Sequence, residues 1–343
     1  MKKTTTLILL FSIILTGCNK PNTSEFSESS PDSINGQDSS SSQIVSTSEE
    51  DSLNSAPVSE IQSTSELASE VASEENTQAS SEHNDELPLD VKAYYQGVDL
   101  NLNGDQLKSE LYNKIKAHTT FGYSGLNNIM KTTDRDWNLS PDPSDTNPYM
   151  HLIYGTYNFS TATAKRHSTQ NSIWDKEHIW AKSHGDFGTS NGAGSDLHHL
   201  RASDKYNNNG RSSLDFGRVD SLKKWVNDTN GTGKPSGRIG SQNNYPGVDV
   251  YEPMDIYKGD VARAVFYMAT RYSVGSPTLF MSNEPTQRTS SPGHLGILST
   301  LLEWNELDPV DEFEFNRNGL VQEYQKNRNP FIDYPWLAPQ IWA

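Results

Sequence analysis

Residues 174–188 (WDKEHIWAKSHGDFG) and 194–213 (GSDLHHLRASDKYNNNGRSS) bring carboxylate, imidazole and amide side chains close together in the chain. Glu177 and His178 are adjacent, and they are followed by three further histidines and by three consecutive asparagines. Neighbours on a regular strand point to opposite faces. If Glu177 and His178 serve one site, we therefore expect their strand to end, bend or bulge at this point.

The same residue types suggest a chemistry. A carboxylate and an asparagine carbonyl are hard oxygen ligands, which suit Mg²⁺. A neutral histidine beside such a cation is a suitable general base for water, and Arg211 could offset charge on a phosphoryl group. Since side chains on a helix are about 100° apart, only one of Asn207, Asn208 and Asn209 is expected to face the metal. Together these are the parts of a metal-assisted phosphodiester hydrolase.

Two other interpretations fit the same residues. His198 and His199 could be ordinary polar residues at a helix start, with Asp196 as the N-cap. Alternatively, a Zn²⁺ site could be built from imidazoles, which zinc prefers. The imidazoles available for it are His178, His184, His198 and His199.

The charge of the chain is unevenly distributed. The net charge is −16 over 343 residues, but residues 19–90 hold sixteen acidic residues and one lysine. The rest of the chain is therefore close to neutral, and the acidic total is no argument against nucleic-acid binding. Residues 19–89 are rich in Ser and Glu and poor in aromatics, which predicts a disordered linker.

The first eighteen residues resemble a bacterial lipoprotein signal peptide. Two lysines precede an apolar run that ends in LTGC, and this run is too short for an ordinary membrane-spanning helix. Cys18, the single cysteine of the chain, is the predicted lipidation site. Lipidation would anchor the protein to the bacterial surface, and release of the protein into the medium is the alternative left open. With one cysteine, no intrachain disulfide can form.

The pattern after residue 90 predicts one α+β domain, residues 90–343. Apolar residues at helical spacing predict a helix that starts within residues 103–105 and carries Leu107, Leu111, Tyr112 and Ile115. Further helices are predicted within 257–272, 295–307 and 311–327. A strand-like run covers residues 151–157, and the Gly- and Asn-rich residues 227–247 predict an exposed loop.

Several motifs occur in the order found in one family. They are KEHIW, SDLHHLRASDKYNNNGRSS, YEPMDIYKGDVARAVFYMATRY, LGILSTLLEWNELDPVDEFEFNRN and NRNPFIDYP. From about Tyr94 to the C-terminus the chain resembles the endonuclease I family of secreted bacterial nucleases. The resemblance implies an α+β fold with a ββα-metal (His-Me) finger. It also implies Mg²⁺-dependent cleavage of DNA, often of RNA too, with little sequence preference and with 5′-phosphate products.

The resemblance also implies roles for individual residues. Glu177 matches the metal-binding glutamate, Asn208 the asparagine that completes the metal site, and His178 the general base. Arg211 matches the arginine just beyond the asparagine. Mn²⁺ or Ca²⁺ are possible substitutes for Mg²⁺.

Binding of nucleic acid without sequence preference should rest on phosphate contacts. Arg201, Arg263 and Arg271 are candidates to supply the positive charge, and the sequence indicates no protein partner. Two alternative functions stay open at this point, a zinc-dependent phosphoesterase and a non-catalytic surface-binding lipoprotein.

Overall fold

The computed structural model describes residues 87–155, 174–227, 235–286 and 293–343. All of them belong to one compact unit, residues 63–343. The predicted signal peptide, Cys18 and the predicted linker up to residue 86 lie outside the described residues, and so do the last two residues of the predicted strand 151–157.

Helices form most of the regular structure in these ranges. In chain order they are α1 (Leu89–Tyr94), α2 (Gly104–Ile115), α3 (Leu126–Thr133), α4 (Lys182–Gly185), α5 (Lys205–Arg211), α6 (Lys258–Arg271), α7 (Leu298–Leu307), α8 (Glu312–Gln325), α9 (Pro330–Asp333) and α10 (Leu337–Trp342). No helix in the described part of the chain has the length and apolarity needed to cross a membrane.

The strands form small separate sheets. They are β1 (Trp174–His178), β2 (Leu200–Asp204), β3 (Ser221–Asn227), β4 (Pro235–Ser241), β5 (Asp249–Pro253), β6 (Phe280–Met281) and β7 (His294–Leu295). β1 pairs with β2 and β6 with β7, while β3, β4 and β5 form a three-stranded sheet in that order. The α+β fold class is confirmed.

A ββα unit formed by β1, β2 and α5 carries the two motif stretches. β1 and β2 are antiparallel, with Glu177 opposite Arg201 and His178 opposite Leu200. α5 follows β2 directly. Asp204, the last residue of β2, caps the N-terminus of α5 by accepting hydrogen bonds from the backbone N–H groups of Tyr206 and Asn207. The strand ends at His178, as predicted, so its last two side chains can border one site although they leave opposite faces.

α6 forms the centre of the main hydrophobic core. Its apolar stripe packs against α2, α7 and α9, but the burial extends well beyond the stripe, since every residue from Lys258 to Thr270 is buried. A polar residue on any face of this helix must therefore find a partner within the protein. Arg263 on this helix meets the requirement by pairing with Glu314.

The predicted elements were confirmed where the local pattern was strong. The four predicted helices correspond to α2, α6, α7 and α8. The prediction of an exposed loop over residues 227–247 is wrong in part, because residues 235–241 form β4 between two partner strands. Two positions of β4 require glycine. A Cβ atom at Gly237 would collide with Tyr251, and one at Gly240 would collide with the backbone of Ser221. The described part of the strand-like run, residues 151–155, forms an isolated bridge from Ile153 to Ser203 and no longer strand.

Candidate active site

A cleft of about 650 Å³ opens at the end of the ββα unit. Its walls come from the end of β1, the start of α4, the C-terminal part of α5 and the turn before α3. Polar side chains predominate, and the cleft is lined by Tyr123, Ser124, Asn127, Asp175, Lys176, Glu177, His178, Ala181, Lys182, Ser183, Asn208, Arg211, Ser212 and Ser213. The structure thus brings together the four residues predicted for catalysis and metal binding.

Glu177 is a buried carboxylate on the wall of this cleft, with 2% of its surface exposed. Its Oε1 atom accepts hydrogen bonds from the Tyr154 hydroxyl and from Arg211 Nη1, both at 3.1 Å. Burial raises the pKa of Glu177 to about 7 although the Arg211 charge opposes the shift. A further positive charge beside this carboxylate would stabilise its ionised form.

His178 is held by contacts on both sides of its ring. The ring stacks on Tyr123 with centroids 5.6 Å apart and an interplanar angle of 7°. Its Nε2 atom lies 3.0 Å from the carbonyl oxygen of Gly194. Because a carbonyl only accepts, Nε2 carries the proton in this contact and Nδ1 keeps a lone pair. Burial, followed by the influence of His199, lowers the pKa of His178 to about 3, so the imidazole is neutral near pH 7.

The three asparagines of α5 have three different environments. Asn207 is buried, where it donates to the Tyr154 carbonyl and accepts from Ser236. Asn208 lines the cleft, whereas Asn209 lines a neighbouring groove. Successive side chains on a helix diverge, so a single asparagine of the run faces the cleft, and it is Asn208.

Arg211 stabilises the wall of the cleft by hydrogen bonds to three residues around the end of β1. Nη1 donates to Glu177 and to the carbonyl of His178 at 3.0 Å, and Nη2 donates to the carbonyl of Ile179 at 2.8 Å. The side chain is 1% exposed. Its terminal nitrogens are therefore engaged with the protein, and this geometry favours a role in fixing the end of β1 over the predicted direct contact with a phosphoryl group.

The donor set at the cleft fits a hard divalent cation. Glu177 supplies a carboxylate whose charge is incompletely compensated, and Asn208, from α5, supplies an amide group that lines the same cleft. Two protein ligands suit Mg²⁺, which usually keeps several waters. No three His, Cys, Asp or Glu side chains in the described ranges are grouped so as to hold a metal, so the structure gives no support to a zinc site built from the four histidines. His184, His198 and His199 instead contact the carbonyls of other residues.

Two of the three arginines predicted to bind substrate are interior residues, which corrects that prediction. Arg201 contacts Asp260 at 2.7 Å and Asp134 at 3.3 Å. Arg263 is fully buried and pairs with Glu314 at 2.6 Å. Guanidinium groups with buried carboxylate partners are not available to phosphates.

Arg271 is less deeply placed. It is partly buried and donates to His118 Nδ1 at 3.1 Å. It does not line the cleft.

Three supporting residues were missed by the sequence analysis. Tyr154 holds Glu177, Tyr123 stacks on His178, and Lys176 places its ammonium 4.0 Å from the centre of the Tyr123 ring. Lys176 also donates to the Tyr123 carbonyl and to Asn127 Oδ1. The two tyrosines lie 23 and 55 residues before the groups they touch, and no local pattern signals such contacts.

Comparison with known proteins gives consistent matches over the same region. The family model for endonuclease I matches residues 103–336. An extracellular ribonuclease of Bacillus subtilis (strain 168) is 42% identical over 256 residues, which are 74% of this chain and 79% of that protein. An extracellular ribonuclease of Bacillus amyloliquefaciens is 40% identical with the same coverage of both chains. The matched family region contains all residues that line the cleft.

Proposed function

Because the chain belongs to the endonuclease I family, we propose that it hydrolyses internal phosphodiester bonds of DNA and RNA with Mg²⁺ as its cofactor. The observation that carries this proposal is that Glu177, His178 and Asn208 border one cleft. They come from the last two residues of β1 and from α5. A carboxylate, an amide oxygen and a neutral imidazole at one point are the groups that metal-assisted hydrolysis requires.

His178 is the proposed general base. The Gly194 carbonyl fixes the proton on Nε2, so Nδ1 is the nitrogen that can take a proton from an attacking water. The stack on Tyr123 limits rotation of the ring. The negative charge of a bound phosphate raises the basicity of this imidazole above that of the empty cleft.

Glu177 and Asn208 are the proposed metal-holding residues. Tyr154 and Arg211 both bind Oε1 of Glu177, which fixes the direction of the carboxylate. When bound, a divalent cation supplies electrostatic stabilisation of negative charge on the phosphate. Arg211 is a positioning residue in this scheme, because it connects Glu177 with the backbone of His178 and Ile179.

The names of the two relatives and the N-terminal sequence support the proposed substrates and the proposed location of the protein. Both relatives are named as extracellular ribonucleases, which supports RNA as a substrate of this chain and export from the cell. The LTGC sequence ending at Cys18 supports a lipid anchor at the bacterial surface. The family resemblance supports DNA as a further substrate, little sequence preference and 5′-phosphate ends.

The test is a cleavage assay on a supercoiled plasmid and on a structured RNA. The purified protein should convert both substrates in Mg²⁺, lose this activity in EDTA, and regain it with Mg²⁺ in preference to Zn²⁺. Rescue by Zn²⁺ alone would favour the zinc phosphoesterase. Binding without cleavage under all conditions would favour a non-catalytic surface lipoprotein and would refute the proposal.

A further inference from the structure

A second groove lies on the other side of α5 from the cleft. Its volume is about 730 Å³, and its walls are α5, β3 and the start of β5. Helical periodicity separates the two spaces, since Asn208 and Arg211 line the cleft while Asn209 lines the groove. Ser212 lines both. The groove therefore adjoins the cleft at Ser212, just after the C-terminal end of α5.

Two consecutive lysines of β3 line this groove. Lys223 and Lys224 both face it, although successive side chains on a regular strand alternate between faces. The register between β3 and β4 shifts between Leu222 and Lys224, so a bulge redirects the strand here. Bulges of this kind commonly re-aim a side chain near an active site.

The charged side chains of the groove differ in whether other residues of the protein compensate their charge. Lys223 forms an ion pair with Asp249, so its charge is largely compensated. The carboxylate of Asp215 is buried and accepts hydrogen bonds from Thr286 and from the backbone of Gly296. Lys224 is exposed, and its ammonium makes no hydrogen bond or ion pair with any residue that the structure describes. No described residue therefore competes with an anion in the groove for this ammonium.

We propose that this groove is a second subsite for the substrate, in which Lys224 holds a phosphate next to the scissile one. The inference rests on the proposed function, because the occupant is the strand that passes through the cleft. Asn209 and Ser212 can donate further hydrogen bonds to phosphate oxygens. Contacts of this kind position a strand without reading its sequence, and they make the enzyme favour polynucleotides over isolated phosphodiesters.

The test compares Lys224→Ala with Lys116→Ala. Lys116 is also exposed, and its ammonium donates to Asn113, but it lines neither the groove nor the cleft. Both substitutions remove one positive charge, so they have the same effect on net charge. The values of kcat and KM for a long single-stranded oligonucleotide are measured in Mg²⁺ between about 50 and 200 mM salt. A Lys224→Arg variant serves as the conservative replacement.

For Lys224→Ala we expect a higher KM and a kcat close to that of the wild type. The slope of log(kcat/KM) against log salt should decrease by about 0.7, which corresponds to one lost phosphate contact on a single strand. Lys116→Ala and Lys224→Arg should keep the wild-type slope. Equal slopes for the two alanine variants would overturn the subsite while leaving the nuclease proposal intact. Absence of cleavage by the wild type would instead refute the proposed function, and the subsite with it.

Discussion

The raised pKa of Glu177 makes a quantitative prediction about metal binding. Burial holds this pKa near 7 instead of the ordinary 4.5. Metal binding requires the ionised carboxylate, so below pH 7 the cation must displace a proton. The ionised fraction is about one-tenth at pH 6 and about nine-tenths at pH 8. We therefore expect the apparent Mg²⁺ affinity of the wild type to be about tenfold weaker at pH 6 than at pH 8.

The assay is a calorimetric titration of the substrate-free protein with Mg²⁺ at pH 6, 7 and 8. His178 does not titrate in this window, because its pKa is about 3. His178→Ala should therefore show the same pH dependence as the wild type. Glu177→Gln, which cannot ionise, should bind Mg²⁺ weakly and without this dependence. Wild-type affinities that are equal at pH 6 and pH 8 would refute the argument from burial, and unchanged affinity of Glu177→Gln would remove this residue from the metal site.

Three further predictions concern single residues. His178→Ala should lower the rate of plasmid cleavage about 10²- to 10⁴-fold without preventing nucleic-acid binding, and a variant with the wild-type rate would exclude His178 as the base. Asn208→Ala should lose activity that partly returns at high Mg²⁺, whereas the activity of Asn209→Ala should not depend on extra Mg²⁺; the reverse pattern would transfer the ligand role to Asn209. Arg201→Met should reduce the free energy of unfolding in urea by about 3–5 kcal/mol, because it removes the ion-pair partner of buried Asp260 and one of the two arginines that contact buried Asp134. An unchanged urea midpoint would contradict a structural role.

Part of the candidate site could be predicted because its residues lie close together in the sequence. Glu177 and His178 are adjacent, and Asn208 and Arg211 lie one helical turn apart on α5. Alternation along a strand and rotation along a helix then limit which side chains can share a site. These two periodicities predicted that the strand would end, bend or bulge at Glu177 and His178, and that a single asparagine would face the metal; in the structure the strand ends at His178 and Asn208 lines the cleft.

Errors arose where a residue depends on distant partners. Arg263 lies off the apolar stripe of α6, which by itself suggests an exposed cation. The structure buries all sides of the helix and brings Glu314 to Arg263 from 51 residues away in the chain. Similarly, β4 has the composition of a loop, but it is paired on both edges because two neighbouring strands satisfy its backbone.

The sequence by itself determined the α+β class and the strongly periodic helices, because these depend on spacing within short segments, while the family resemblance singled out the residues of the candidate site. The tertiary structure alone decided which cations are available to a substrate. Arg201 and Arg263 are compensated by buried carboxylates, whereas Lys224 is not paired with any described residue. The physical reason is that compensation of a charge depends on the groups around it in space, and long-range packing supplies those groups.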